Sequence, residues 1–447
     1  MTPDRSIIVA LATAPGRGGV AVLRVSGPSL QAMAFALAGV QASPRHAHLV
    51  AFRDQAGQVL DRGLLIWFPA PASYTGEDVL ELHTHGGDVL PRRVLQACLD
   101  LGARLAQPGE FTRRAFLRGK LDLVQAEAVA DLIEASSEAA ARGALRSLDG
   151  EFSRSIRDIQ QDLHTARVQL EGSLDFPEEE LAVAPVDQVR QMLRPMVSRL
   201  RELLSQGLRG QALRAGRQVV LYGPPNVGKS SLLNRLAGED LAIVSAEAGT
   251  TRDTIRTHLE LGGLRLELID TAGVRDGAQA VEKLGIARAQ QAAAQADLVL
   301  VLRAFDQPSA SPAEDAAMLT LPATMPVLYV WNKRDLASSD QLESLAQQDA
   351  VCLVSAQTGE GVAALERRIL SALGWSAGTE PGFLARTRHL DALRSALGHL
   401  EQAERAVQEE LVAEDLRLAQ GALNEILGEF VADDLLGEIF SRFCIGK

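Results

Sequence analysis

The sequence predicts a multidomain α/β protein: an N-terminal α+β domain, then an all-helical domain, with a doubly wound α/β domain inserted into the helical one. Three observations carry this. Short apolar runs parted by glycine breakers fill the chain up to about residue 118, apolar residues at three- and four-residue steps mark two later stretches, and the block between those stretches alternates short strands with helical segments. At 447 residues the chain is also too long for one ordinary core.

Taken in order, SIIVALAT, GVAVLRVSG, LLIWFPA and VLELHTH are the strands of the first domain, with PGRGG and HGG as breakers, giving a boundary at 1–118. From about Lys120 the signal turns helical, with Leu121, Val124, Ala128 and Leu132 on one face, and it continues to 212 as the first half of the helical domain. Segment 213–375 holds the alternating block, its core running from Arg217 to Leu373 between the linker-like stretches QGLRGQALRAGR and GWSAGTEPG. The second helical half is 376–447, where Leu390, Leu393, Leu397 and Leu400 form an apolar stripe and helical pattern runs to about Phe443.

Composition narrows the class. Hydrophobic residues at 47% and charged residues at 23% fit a soluble globular protein. The start MTPDRSIIVALATAPGRGG offers neither a secretory signal nor a membrane span, so a cytoplasmic location is expected. Cys98, Cys352 and Cys444 fit no metal or disulfide spacing. A net charge of −12 disfavours indiscriminate nucleic-acid binding but leaves room for a local basic patch that docks folded RNA.

The chemistry is concentrated in RQVVLYGPPNVGKSSLLNRL, a strand, a glycine loop and a helix. Gly223 and Gly228 would let the backbone of this loop, with Val227 and Ser231, turn its N–H groups inward around phosphates; Lys229 would neutralise the β- and γ-phosphates and Ser230 would offer its hydroxyl to Mg²⁺. Downstream, LRLELIDTAG ends in Asp270, Thr271, Ala272 and Gly273, putting a carboxylate near Mg²⁺ and a glycine N–H near the γ-phosphate. VLYVWNKRD delivers Asn332, Lys333 and Asp335 in the N-K-x-D order of the GTPase superfamily. A carboxylate there accepts from guanine N1 and N2, donors adenine lacks, so the base is expected to be guanine. Ser355, Ala356 and Gln357 follow as a last base-contact loop. Between them, GTTRDT (Gly249 to Thr254) supplies Thr251 as a second Mg²⁺ ligand in a switch that responds to the γ-phosphate.

Two departures bear on mechanism. Val274 follows Gly273, so the water-orienting glutamine of Ras-like proteins is missing. Asn226 stands inside the loop, where its amide oxygen would ligate a monovalent cation against the phosphates and so stabilise charge developing during cleavage. The plainer alternative is an asparagine tolerated in a turn.

GPPNVGKSS, AGTTRD and DTAGVR together resemble the TrmE-Era branch of GTPases. With ATAPGRGGVAVLRVSG, YTGEDVLELHTHGG, PGEFTRRAFLRGKLDLVQAEAVADLI and the terminal FCIGK, almost the whole chain resembles the tRNA modification GTPases of the MnmE (TrmE) family. The resemblance implies a Ras-like P-loop GTPase domain for the inserted block. It implies a potassium site built from Asn226, Ser245, Glu247 and Thr250 in a loop that also brings Ala246, Ala248 and Gly249 to the nucleotide, and a water-orienting carboxylate at Glu282. By the same likeness the N-terminal domain binds 5-formyltetrahydrofolate through Arg24, Glu81, Lys120 and Lys447 and forms a homodimer; Arg118 stands where the family often has asparagine. The implied role is GTP hydrolysis with the FAD-dependent partner MnmG, in a heterotetramer, to modify C5 of the tRNA wobble uridine with an aminomethyl or carboxymethylaminomethyl group.

Other residues read more plainly. His83 and His85 share one side of a strand without a supporting ligand cluster and are expected to be structural. Cys444 is a small hydrophobe or a thiol activated by Arg442 and Lys447. Arg113, Arg114, Arg118 and Lys120 form the clearest basic cluster, facing either tRNA phosphates or the folate pocket. The rival functions are a ribosome-assembly GTPase of the Era or Der kind, which calls for an RNA-binding appendage of KH type, and a folate-dependent one-carbon transferase with a regulatory GTPase domain.

Overall fold

The computed structural model describes residues 5–175, 186–224, 226–237, 255–270, 292–307, 325–346, 348, 351–375, 382–429, 433–441 and 443–446. In chain order the elements begin β1 (Ile8–Leu11), β2 (Val20–Gly27), α1 (Gln31–Ala38), β3 (His48–Arg53), β4 (Val59–Phe68), β5 (Asp78–His85), α2 (Leu90–Asp100), β6 (Arg104–Leu105), α3 (Glu110–Leu117), α4 (Leu123–Glu134), α5 (Glu138–Leu148), α6 (Glu151–Asp175) and α7 (Val186–Ala215). They continue β7 (Arg217–Tyr222), α8 (Lys229–Ala237), β8 (Ile255–Leu261), β9 (Leu264–Asp270), β10 (Leu298–Ala304), β11 (Val327–Asn332), α9 (Ser339–Ala346), β12 (Val351–Leu353), α10 (Val362–Ala372), α11 (Thr387–Arg405), α12 (Glu409–Leu427) and α13 (Asp433–Ser441).

Two compact units emerge, one of residues Met1–Glu134, Ala144–Leu204 and Arg388–Lys447, the other of Ala135–Gly143 and Ser205–Thr387. The first contains a six-stranded sheet in the order β3-β4-β5-β2-β1-β6, antiparallel except where β6 runs parallel to β1. Alternation along β5 sends Leu80 and Leu82 to the core with Leu23 and Val25 of β2, where Leu30 and Leu37 around α1 and Val94 and Cys98 of α2 cover them. Glu81 and His83 therefore lie on the opposite face, and Arg24 stands directly across from Glu81 in the β2–β5 register. The strand-and-turn pattern of this region does not announce β3, α1 or α2. Helix α3 already lies before the point at which the periodicity turns helical.

The helices of this unit are built on long apolar stripes. Phe152, Ile156, Ile159, Leu163, Ala166 and Leu170 are buried along α6, and Val412, Leu416, Ala419, Leu423 and Ile426 along α12. On α11 the stripe buries Leu390, Leu393 and Leu400, while Leu397 is half-buried. Glu127 of α4 is only 1% exposed and is held by two hydrogen bonds from Arg388, at 2.8 and 2.7 Å. Arg388 also donates to the Glu425 and Ile426 carbonyls at the end of α12, at 3.0 and 3.3 Å, so one guanidinium fastens α4, α11 and α12. The C-terminal helix stops at Ser441, short of Phe443.

The second unit carries a six-stranded sheet in the order β12-β11-β10-β7-β9-β8, parallel apart from β8, which pairs antiparallel with β9. Every residue of β10 is buried, as expected of a central parallel strand covered on both faces. In such sheets ligands bind beyond the carboxyl ends of the strands, and here β7, β9, β11 and β12 end at the sequence motifs. No described helix is long and apolar enough to cross a membrane.

Candidate functional site

The glycine loop runs from the end of β7 into α8, whose first residue is Lys229. Lys229 is 5% exposed, and its Nζ donates to the carbonyls of Gly223 at 2.7 Å and Pro224 at 2.9 Å, which holds the ammonium across the loop mouth. Asn226, Ser230 and Ser231 are exposed, whereas Val227 is buried and anchors the loop. Gly228 has φ 89°, and a Cβ there would sit 2.3 Å from Asn332 Nδ2, so only glycine permits this approach.

Asn332 explains the approach. Its Nδ2 donates to the Val227 carbonyl at 2.9 Å, and its Oδ1 accepts the Ala356 N–H at 3.0 Å. The side chain thus fastens the phosphate loop to the base loop, with its amide committed on both sides. Asp335 is exposed; one carboxylate oxygen accepts from Ser355 Oγ at 2.5 Å, and Ser355 Oγ accepts the Thr358 N–H at 3.1 Å. Lys333 adopts the left-handed region, φ 60°, and pairs with Asp306 at 2.6 Å. Arg235 of α8 donates to the Ala356 and Gln357 carbonyls at 3.0 and 2.5 Å, a second tie between the two loops.

The residues Gly223, Asn226, Val227, Gly228, Lys229, Ser230, Ser231, Asn332, Lys333, Asp335, Ser355, Ala356 and Gln357 are therefore gathered at one edge of the sheet. Ser245, Ala246, Glu247, Ala248, Gly249, Thr250, Thr251, Thr271, Ala272, Gly273 and Glu282 lie outside the described residues, as does Lys447; Asp270 is described only as the end of β9. Sequence reading did not single out Asp306 or Arg235. Asp306 was discoverable as a carboxylate just past the end of a buried parallel strand; Arg235, one basic residue on an amphipathic helix, carried no such signal.

The donor set suits a magnesium nucleotide: an ammonium held at the loop mouth, an exposed hydroxyl at Ser230 and a glycine at 228 that leaves backbone bare. Asn226 is at φ 63°, a region asparagine tolerates better than most residues. Its backbone geometry thus favours asparagine on its own account, while its exposure leaves the amide oxygen free to meet a cation.

In the N-terminal sheet, Arg24 Nη2 lies 2.9 Å from Glu81 Oε1, and the guanidinium stacks 5.4 Å from the Tyr74 ring centroid. Lys120 Nζ donates to the Pro71 carbonyl at 3.3 Å. The segment 71–77 therefore touches Lys120 near one end and Arg24 at its middle, with Arg24 backed by an aromatic ring and paired with Glu81. Tyr74 was not singled out as part of it.

The basic cluster is not a free cationic surface. Arg114 is 7% exposed, pairing with Glu77 at 2.8 Å and Glu110 at 2.9 Å, and Arg118 also pairs with Glu77. Glu110 further binds Arg104 at 2.6 Å; burial alone would raise its pKa, but the guanidiniums and the Gln107 N–H hold the carboxyl below its ordinary value. Glu77, 37 positions upstream of Arg114 and 41 upstream of Arg118, is the neutralising partner that a local charge count does not see.

His85 Nδ1 lies 2.8 Å from Asp61, and His83 Nε2 lies 3.6 Å from Glu81. Among the described residues no group of three or more His, Cys, Asp or Glu is arranged to hold a metal. Burial pushes the Cys98 thiol up to about 12, leaving it unreactive, whereas Cys444 is exposed.

The family profile described as GTP-binding protein TrmE N-terminus matches residues 7–120, and that described as MnmE helical domain matches 123–444. The tRNA modification GTPase MnmE of Bordetella parapertussis is 51% identical, covering 98% of this chain and 99% of its own. Its counterparts in Chromobacterium violaceum and in Azoarcus sp. are 52% and 53% identical, each covering 98% of both chains. Matched from end to end at this level, the chain belongs to the MnmE family of tRNA modification GTPases.

Proposed function

We propose that this chain is a potassium-dependent GTP hydrolase of the cytoplasm that acts as a homodimer, together with the FAD-dependent MnmG, in modifying C5 of the tRNA wobble uridine, with 5-formyltetrahydrofolate as the one-carbon source. The observation that carries the hydrolase reading is the Asn332 bracket. It fixes the phosphate loop and the guanine-reading loop against one another, so phosphate and base are read by one rigid frame. Lys229 moves from the loop carbonyls onto the phosphates, Ser230 and Thr251 would hold the magnesium ion, and Asp335 accepts from the guanine edge. Magnesium and potassium, when bound, supply positive charge against the phosphate oxygens. Asn226, with Ser245, Glu247 and Thr250, would hold the potassium, and Glu282 orients the attacking water in place of the absent glutamine. Arg24, Glu81, Lys120 and Lys447 receive the folate. A ribosome-assembly role has less support, because α11, α12 and α13 follow the GTPase segment as helices, with no KH-type sheet among the described residues.

The left-handed backbone at Asn226 dictates the test. Asn226→Ala would add strain of about 1 kcal/mol to any ligand effect, whereas Asn226→Gly keeps the loop shape and removes only the amide. GTP turnover by Asn226→Gly is expected to lose its stimulation by K⁺ over Na⁺, a fall on the order of 10²-fold in potassium buffer. Undiminished stimulation in the glycine variant would refute the assignment. Nucleoside analysis of tRNA from cells lacking the chain should show loss of the wobble C5 substituent.

A further inference from the structure

We infer that a cavity at the end of the N-terminal sheet, lined by residues other than Arg24, Glu81 and Lys120, is a docking pocket for a phosphodiester of the tRNA substrate. The inference rests on the tRNA reading above. The cavity, about 330 Å³, lies between the PGRGG turn that joins β1 to β2, the HGGD turn after β5 and the first turn of α2. Arg24, Glu81 and Lys120 do not line it, while Gly446, the residue before Lys447, packs against Leu11 at its rim.

Its charge pattern is unlike that of the basic cluster on α3. Arg17 and Arg92 reach the cavity from opposite turns, with Asp88 beside them. Among the described residues none of these three has a hydrogen-bond or ion-pair partner, and all three are exposed. Arg114 and Arg118, by contrast, are spent on Glu77 and Glu110. In a chain of net charge −12, an RNA ligand needs a place where cations are uncommitted, and two guanidiniums lining one cavity supply the fork-shaped donors that recognise phosphate. Asp88 is an acceptor suited to a ribose 2′-hydroxyl, the group that separates RNA from DNA.

The glycines add an independent argument. Gly18 lines the cavity without a positive φ, and a Cβ there would meet its nearest neighbour, the Val20 carbonyl, at an ordinary 3.6 Å. Gly18 thus presents bare backbone to the cavity, which a ligand can approach closely.

The test is binding of labelled tRNA by the full-length protein over a series of salt concentrations. Arg17→Ala/Arg92→Ala is expected to weaken binding about tenfold or more and to flatten the slope of log K against log salt by one to two units. GTP turnover without tRNA should be unchanged. Gly18→Ala should keep the melting temperature and still weaken tRNA binding, a combination that a purely structural turn would not produce. Asp88→Asn should narrow the preference for RNA over a DNA of the same sequence. Unaltered affinity and salt slope in the double arginine variant overturn the proposal while leaving the tRNA reading intact; failure of the wild-type chain to bind tRNA overturns both. Loss of 5-formyltetrahydrofolate binding with tRNA binding retained would assign the cavity to the folate and also overturn it.

Discussion

Asp335→Asn is expected to lower GTP affinity by about 10⁴-fold while leaving the fold untouched. The physical reason is a reversal of hydrogen-bond polarity at one point: the carboxylate offers only acceptors to guanine N1–H and the N2 amino group, whereas an asparagine amide presents a donor in one of the two places. Buried donors left facing a donor cost far more than a missing bond. The exchange is isosteric, and Ser355 Oγ, 2.5 Å from Asp335 Oδ1, can donate equally well to an amide oxygen, so the bracket from Asn332 to Ala356 should stand. The same reversal creates a partner for a base bearing an oxygen at C2, and xanthosine triphosphate should be hydrolysed by the variant at a rate approaching that of GTP in the wild type. Competition binding with GTP and xanthosine triphosphate measures both. Equal loss for the two nucleotides would mean that Asp335 supports the loop and does not read the base.

How much of this was legible beforehand depended on whether the determining contact was local. The strand, glycine loop and helix around Lys229 follow from residues within one short segment, and the N-K-x-D order announces guanine from four consecutive positions. The double role of Asn332 was not legible, because its partners, Val227 and Ala356, are brought to it only by the parallel stacking of β7, β10, β11 and β12. The same limit explains the α3 arginines. Read locally, Arg113, Arg114 and Arg118 are a positive patch, but Glu77 reaches Arg114 and Arg118 from the turn before β5, and only the folded sheet makes that pairing visible. The free cations at Arg17 and Arg92 are not visible for the complementary reason: in sequence each is an isolated arginine near a glycine-rich turn, and only the β1–β2 turn, the turn after β5 and the start of α2 meeting at the end of the sheet place both on one cavity.

Arg388→Ala is expected to destabilise the helical unit by about 3–5 kcal/mol, since removing one partner leaves the Glu127 carboxylate buried and undercompensated. Glu127 is 1% exposed and has Arg388 at 2.7 Å and His389, itself 2% exposed, at 2.9 Å. Glu127→Gln should cost a similar amount, because an amide N–H then faces the guanidinium. Glu127→Leu combined with Arg388→Met should cost less than the sum of the two single changes, the mark of a direct coupling. Burial works to raise the Glu127 pKa, but the charges and hydrogen bonds of His389 and Arg388 outweigh it and hold the carboxyl well below its ordinary value of 4.5. A depressed carboxylate contributes its stability above the unfolded-state value and loses it in acid. The gap between wild type and Glu127→Gln should therefore be full above about pH 4.5 and close progressively as the pH falls below it. Denaturant titrations with and without GTP assign the transition, because bound nucleotide stabilises the GTPase unit by mass action. Arg388 is the residue at which the chain re-enters the helical unit after the GTPase segment, directly from Thr387. Its three-helix tie gives the returning strand of polypeptide a fixed anchor, and a variant that loosens it without unfolding should hydrolyse GTP at the wild-type rate while transmitting less of that event to tRNA modification. If Arg388→Ala melts at the same denaturant concentration as wild type at pH 7, the ion pair is peripheral and that anchoring role falls with it.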